Sequence, residues 1–150
     1  MEEVYLFLDI DGVLNRRSDW DKKFYMNPEC LQAFDELINK LHKKYDLRII
    51  LSSTWRFAMS NDESDSVLLP LNTVLHKYHL GIYDSTVKSN KTRQEEIEYY
   101  IRRNGVHRYV ILDDDESLFP DRSRINIYLT DYKKGLSSKE VRAVIKSIGT

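Results

Sequence analysis

Short apolar runs alternate along this chain with longer segments in which apolar residues recur every three or four positions. The apolar runs predict strands at 4–8, 47–51 and 109–112, with shorter strands at 82–83 and 125–129. The helical spacing predicts amphipathic helices after Asn27, Thr92 and Ser137, which are residue types that cap helix N-termini. A glutamate three residues after Thr92 and after Ser137 completes a capping box, and Gly105 closes the second helix.

Strands that alternate with helices indicate an α/β domain whose parallel sheet is covered by helices on both faces. The 150 residues contain no repeat and no linker-like stretch, so they fit a single domain spanning 1–150. The stretch 61–78 has no clear assignment, because Pro70 interrupts a loosely helical pattern that several acidic residues precede.

Composition narrows the class of protein without naming a ligand. Hydrophobic residues make up 41% of the chain, charged residues 31%, and the formal net charge is −1, as in soluble globular proteins. This balance neither implies nor excludes nucleic acid as a partner. Cys30 is the sole cysteine, and the first apolar run ends at Asp9, too early for a signal peptide or a membrane span. We therefore expect a cytoplasmic protein that does not associate with membranes.

Polar side chains are concentrated where three of the predicted strands end. They are Asp9 and Asp11, Ser52 and Ser53, and the run 113–115. Because ligands bind outside the carboxyl ends of parallel strands, we expect these groups to meet at one edge of the sheet. Asp9 and Asp11 lie two residues apart, so extended backbone would direct both carboxylates the same way. Oxygen-only ligands of this kind favour Mg²⁺ over Zn²⁺.

Four segments resemble, in order, the motifs of the haloacid dehalogenase-like (HAD) superfamily. They are LDIDGVLN at 8–15, IILSSTWR at 49–56, NKTRQEEI at 90–97 and VILDDD at 110–115. The chain looks most like the small HAD domains of Swiss Army Knife RNA-repair proteins, in which a Trp-Arg pair also follows the second motif. This resemblance implies a three-layer Rossmann-like HAD fold with a minimal cap or none.

The resemblance also implies roles for individual residues. Asp9 would attack phosphorus to form an aspartyl-phosphate, and Asp11 would act as general acid and base while its backbone carbonyl contacts Mg²⁺. Ser52 would hydrogen-bond the transferring phosphoryl group, and Lys91 would add a cation beside it. Asp114, together with Asp113, would complete the metal site.

For two of these roles, more than one residue is a candidate. Ser53 competes with Ser52 for the phosphate contact, and Lys88 and Arg93 compete with Lys91 for the third motif. Trp55 and Arg56 are candidate substrate contacts, as is Arg93.

A nearly capless site implies a macromolecular phosphorylated substrate, and we expect a polynucleotide end. Phosphoproteins, nucleotides and a non-catalytic phosphate-binding role are the alternatives, and the sequence leaves the oligomeric state open.

Overall fold

A parallel sheet forms the centre of the computed structural model, which describes residues 1–55, 67–89 and 91–148. Its strands are β1 (Glu3–Leu8), β2 (Asp46–Leu51), β3 (Ile82–Ser85), β4 (Tyr109–Asp113) and β5 (Ile127–Leu129). They pair in the order β3-β2-β1-β4-β5, with every neighbouring pair parallel. The central position of β1 explains its unbroken apolar sequence, because a strand buried on both faces needs no polar alternation.

Helices cover both faces of this sheet, as the alternation of elements predicts. The helices are α1 (Pro28–His42), α2 (Leu69–His76), α3 (Arg93–Asn104) and α4 (Ser138–Ile148). Along β1, Leu6 and Leu8 pack in one apolar cluster with residues of α1, α2 and α4, while Tyr5 and Phe7 pack in a second cluster with residues of α3. Because successive strand side chains point to opposite faces, this division gives three layers and confirms the predicted α/β fold.

The ends of α1 and α3 have the capping residues that the sequence predicts. The Asn27 side chain accepts a hydrogen bond from the backbone N–H of Glu29, and Thr92 accepts one from Glu95. Gly105 ends α3 with a φ of 61°, in the left-handed region that favours glycine. None of the helices in the described part of the chain is both long and apolar enough to span a bilayer.

Two elements differ from their expected form. The unassigned stretch contains α2, and Pro70 lies in its first turn, where the N–H that proline lacks would have no helical partner. β5 begins at Ile127, two residues later than predicted, because Ile125 ends a 3₁₀ turn that spans Arg122–Arg124.

The strand order places the predicted site at one edge of the sheet. Successive strands run outward from β1 through β2 to β3, and the chain then crosses to the other side of β1 for β4 and β5. Backbone hydrogen bonds join the ends of the three central strands, from Ser52 N to Leu8 O (2.8 Å) and from Asp9 N to Leu112 O (3.0 Å). This is the switch point at which open α/β sheets bind ligands.

Candidate active site

Three carboxylates converge at the carboxyl ends of the central strands. Asp9 directly follows β1, Asp113 is the last residue of β4, and Asp114 comes next. Each offers a carboxylate oxygen within 4.8 Å of the others. Asp9 and Asp113 are buried and Asp114 is half-buried, so water screens their charges poorly.

Burial and mutual repulsion shift the ionisation of this cluster. The pKa of Asp9 is raised well above its ordinary value, first by burial and then by the charge of Asp113, although Arg93 acts in the opposite direction. Burial and the Asp113 carboxylate also raise the pKa of Asp114 to about 6. Two carboxylates 4 Å apart repel by roughly 4 kcal/mol at an effective dielectric of 20. The cluster therefore favours a positive charge between its members.

Arg93 supplies part of that charge. It is the first residue of α3, and its Nη1 lies 2.9 Å from Asp113 Oδ2 and 3.3 Å from Asp9 Oδ1. One guanidinium cannot balance three carboxylates, so a net negative charge remains. An oxygen-only donor set with excess negative charge fits a hard divalent cation.

Backbone contacts fix Asp113 within the cluster. Its Oδ1 accepts hydrogen bonds from the N–H groups of Asp114 (2.7 Å) and Asp115 (3.1 Å), while its Oδ2 faces Arg93. Both Asp113 oxygens are thus engaged, which leaves Asp9 and Asp114 as the members best able to hold a cation. Asp115 is exposed and caps the following 3₁₀ turn.

The Asp11 carboxylate has different partners. Its Oδ1 accepts a hydrogen bond from Asn15 Nδ2 (3.0 Å), and its Oδ2 accepts one from Trp55 Nε1 (3.2 Å). β1 ends at Leu8, so the strand alternation that predicted a shared direction for Asp9 and Asp11 stops before them. Asp11 still lines the same cleft as Asp9, with its carboxylate held by two donors outside the acidic cluster.

Gly12 allows the loop after β1 to pass close to Asp114. Its φ is +81°, and a Cβ at this position would lie 2.1 Å from Asp114 Oδ2. Asn15 Oδ1 accepts a hydrogen bond from Gly12 N (2.9 Å), and Thr130 Oγ1 donates to Gly12 O (2.7 Å). The loop is therefore held from both sides against the acidic cluster.

The two serines after β2 are both buried and differ in their partners. The Ser53 hydroxyl accepts a hydrogen bond from the backbone N–H of Trp55 (3.2 Å). The Ser52 hydroxyl has no hydrogen-bond partner within residues 1–55, 67–89 and 91–148. Because an unpaired buried hydroxyl is unfavourable, Ser52 is the serine with bonding capacity left for a ligand.

Trp55 is a packed residue. Its side chain is buried, its ring meets Phe24 edge to face at 5.2 Å, and its indole N–H is donated to Asp11. This geometry orients Asp11 and leaves little ring surface for a substrate. Arg56, its neighbour in the Trp-Arg pair, lies outside the described residues.

The cations proposed for the third motif occupy different places. Lys88 and Lys91 are exposed, and Lys91 lines a separate groove beside Val87 and Tyr99. The structure brings Arg93, and not Lys91, into contact with the acidic cluster.

The sequence analysis missed an aromatic rim on the cleft. Asp9, Asp11, Arg93 and Asp114 line an open cleft of about 940 Å³, together with Arg17, Trp20 and Tyr132. The Trp20 and Tyr132 rings stack with centroids 6.1 Å apart and an interplanar angle of 29°. An aromatic residue in the polar loop after the first motif was the available signal for Trp20, whereas nothing in the sequence joins Tyr132 to it.

One of three comparisons with known proteins identifies a family. A family model described as the HAD domain in Swiss Army Knife RNA repair proteins matches residues 5–141. A comparison with curated proteins finds no match. Among solved structures, the chain is similar to a haloacid dehalogenase-like hydrolase, SP0104 from Streptococcus pneumoniae, at 9% identity and a TM-score of 0.47, covering 95% of this chain and 90% of that one.

Proposed function

This chain belongs to the HAD-like hydrolase family, as a HAD domain of the type in Swiss Army Knife RNA repair proteins, and from that premise we propose that it is a Mg²⁺-dependent phosphomonoesterase. It acts through an aspartyl-phosphate on a macromolecular substrate, of which a nucleic-acid end is the preferred case. The main support is the cluster of three carboxylates at the carboxyl ends of β1 and β4, which Arg93 contacts.

In the first step, a carboxylate oxygen of Asp9 attacks the phosphorus atom and the bond from phosphorus to the leaving oxygen breaks. Asp11 donates a proton to that leaving oxygen. In the second step, Asp11 takes a proton from a water molecule as the water oxygen attacks phosphorus and the Asp9–phosphorus bond breaks. Inorganic phosphate leaves, and both aspartates return to their starting states.

Several contacts support this division of roles. The hydrogen bonds from Asn15 and Trp55 hold the Asp11 carboxylate beside the cleft, apart from Asp9. Arg93 partly offsets the rise that burial and Asp113 cause in the pKa of Asp9, and so acts toward the ionised carboxylate that the nucleophile requires. Among the described residues the buried Ser52 hydroxyl has no hydrogen-bond partner, so it keeps the capacity to bond a phosphoryl oxygen.

The metal would be held by Asp9 and Asp114, with Asp113 and the Asp11 backbone carbonyl alongside. When bound, Mg²⁺ would offset the repulsion between these carboxylates and the oxygens of an approaching phosphate. The oxygen-only donor set and its net negative charge support this choice of ion.

Access to the cleft supports a large substrate. Between β1 and α1, the described residues form loops and one short 3₁₀ turn, Arg17–Asp19, rather than a lid domain. A phosphate at the end of a polymer could reach Asp9 without the rest of the molecule being enclosed.

Hydrolysis of p-nitrophenyl phosphate, with and without added Mg²⁺, tests the proposed chemistry. Asp9→Asn should lower kcat at least about 10³-fold while thermal unfolding shows a folded protein. Asp46→Asn is a matched control, because Asp46 begins β2 at the opposite end of the sheet. Turnover by Asp9→Asn at the parent rate, or turnover independent of added metal in chelator-treated protein, would contradict the proposal.

A further inference from the structure

We propose that Trp20 and Tyr132, with Arg17 beside them, form a nucleobase-binding platform that holds the last base of a polynucleotide while its terminal phosphate reaches Asp9. The phosphate site at Asp9 rests on the proposed function. The platform deepens that proposal by naming the residues that would recognise the terminal base of a nucleic-acid end.

The exposure of the two rings is the first observation. Trp20 is 46% and Tyr132 36% exposed, although both are large aromatic residues. Their offset pair lines the same cleft as Asp9 and Asp114. Partly exposed aromatic rings beside a phosphate site suit a planar base, since every base has a face that stacks on an aromatic ring. The Arg17 guanidinium carbon lies 5.8 Å from the centroid of the Tyr132 ring and belongs to the same platform.

Hydrogen bonds hold the platform to the catalytic loop. The Trp20 indole N–H is donated to Asn15 Oδ1 (2.9 Å), and the same Asn15 contacts both Gly12 and Asp11. On the other side, the backbone N–H of Arg17 is donated to Tyr132 O (2.8 Å). The rings therefore keep a fixed position relative to the phosphate site before any ligand binds, which lowers the entropy lost on binding.

Charge indicates the direction in which a polymer would leave. Beyond Trp20, Lys22 and Lys23 line an adjoining groove that also contains Asp11. Neither lysine nor Arg17 forms an ion pair with an acidic residue in the described ranges. The lining of the main cleft also includes the acidic residues Asp115, Glu116 and Asp131. A polyanion would therefore run along the lysine side, where its phosphates meet cations.

A polynucleotide fits these features better than a phosphotyrosine peptide does. In phosphotyrosine the aromatic ring is bonded directly to the phosphate oxygen, so a second aromatic site away from the phosphate is not needed. The residues that follow a phosphotyrosine need not be anionic either. The separate ring platform and the lysines beyond it match a repeating unit of base and phosphate.

The test compares two short single-stranded oligonucleotides that carry the same terminal phosphate. One has a base on its terminal nucleotide, and in the other that nucleotide is abasic. We expect Tyr132→Ala to lower the ratio of kcat/KM for the first to kcat/KM for the second about tenfold, equivalent to about 1.4 kcal/mol of stacking. Tyr132→Phe, which keeps the ring, should preserve the ratio. Tyr99→Ala is the matched control, because Tyr99 is also an exposed tyrosine (51% against 36% for Tyr132) but lies on α3 outside the cleft.

Equal losses on both oligonucleotides, which leave the ratio unchanged, would overturn the platform. So would a larger effect of Tyr132→Ala on a phosphotyrosine peptide than on the base-bearing oligonucleotide. Replacing Lys22 and Lys23 together with alanine should make oligonucleotide binding less dependent on salt, and an unchanged salt dependence would contradict the proposed path.

Binding measurements separate this inference from the proposed chemistry. Equilibrium binding of both oligonucleotides to Asp9→Asn reports the base preference without turnover. If the parent hydrolyses neither oligonucleotide but binds the base-bearing one about tenfold more tightly, the chemistry is wrong and the platform stands. If the parent hydrolyses both at the same rate and binds both equally, the platform is wrong and the chemistry stands.

Discussion

Replacing Arg93 with methionine tests how the acidic cluster is held together. Methionine keeps much of the side-chain length but removes the positive charge that contacts Asp9 and Asp113 at 3.3 and 2.9 Å. The arginine side chain is 12% exposed, so little water is available to replace it. The variant would leave three carboxylates facing one another without a cation from the protein.

The expected loss follows from this geometry. Breaking a buried ion pair by removing one partner typically destabilises a protein by about 3–5 kcal/mol. Arg93 lines an open cleft and Asp9 can bind a proton, so we expect the low end of that range, about 3 kcal/mol at pH 7 without metal. For a domain of 150 residues, this corresponds to a decrease in Tm of about 6–12 °C.

A divalent metal should reverse part of the loss. The variant cluster carries one more net negative charge than the parent cluster, so adding Mg²⁺ should raise the Tm of Arg93→Met by more than that of the parent. Thermal unfolding followed by circular dichroism, with Mg²⁺ or with a chelator, measures both effects. Lys91→Met is the matched control and should stay within about 0.5 kcal/mol of the parent, because Lys91 is exposed.

A parent-like Tm of Arg93→Met in chelator would contradict the role of Arg93 in holding the cluster, and so would an equal loss of stability in Lys91→Met. Kinetics on the same proteins assign the third motif, because the cation that serves the phosphate site should lower kcat/KM when it is removed. A loss confined to Lys91→Met would return that role to Lys91.

Two further predictions concern backbone conformation and pH. Gly12→Ala should cost about 1–2 kcal/mol of stability and lower kcat more than tenfold, because φ is +81° and the new Cβ would displace Asp114. Gly81→Ala is its control, because a Cβ added there would have no atom of the described residues within 4 Å apart from its chain neighbours. Burial acts to raise the pKa of Asp35, but hydrogen bonds from Lys77 and Tyr78 lower it overall. The ionised carboxylate therefore stabilises the fold at pH values above its unfolded pKa of about 4. That stabilisation is lost as the pH falls through the lowered pKa of the folded state. In urea unfolding, Asp35→Asn should be about 1 kcal/mol less stable than the parent at pH 7 and nearly equal to it at pH 2.5, and a difference independent of pH would contradict this.

The sequence was sufficient to predict that the acidic residues at the ends of β1 and β4 meet, because this convergence follows from general rules of parallel sheets. Apolar runs that end abruptly at Asp9 and Asp113 mark strands buried on both faces. Such strands share a direction, and their carboxyl ends therefore meet. No long-range contact had to be known to place these two residues together.

The third-motif cation could not be chosen in the same way. Lys91 and Arg93 lie on either side of the cap residue Thr92, so both precede or begin the same helix. Which of them reaches the cluster depends on how α3 is rotated over the sheet, and that rotation is set by packing of Ile97 and Tyr100 against Phe7 and its neighbours. Linear order contains no information on this angle.

The two tryptophans show the same limit for substrate contacts. Trp55 donates its indole N–H to Asp11, and Trp20 donates its own to Asn15, which in turn contacts Asp11. Both therefore support one polar network, and their positions close to the first and second motifs do not distinguish them. Phe24 covers the ring of Trp55, whereas Trp20 stays exposed and is joined by Tyr132 from the far end of the chain. Only tertiary packing decides which of the two rings stays exposed. Trp55 therefore supports Asp11 from a buried position, whereas Trp20 is part of the candidate binding surface.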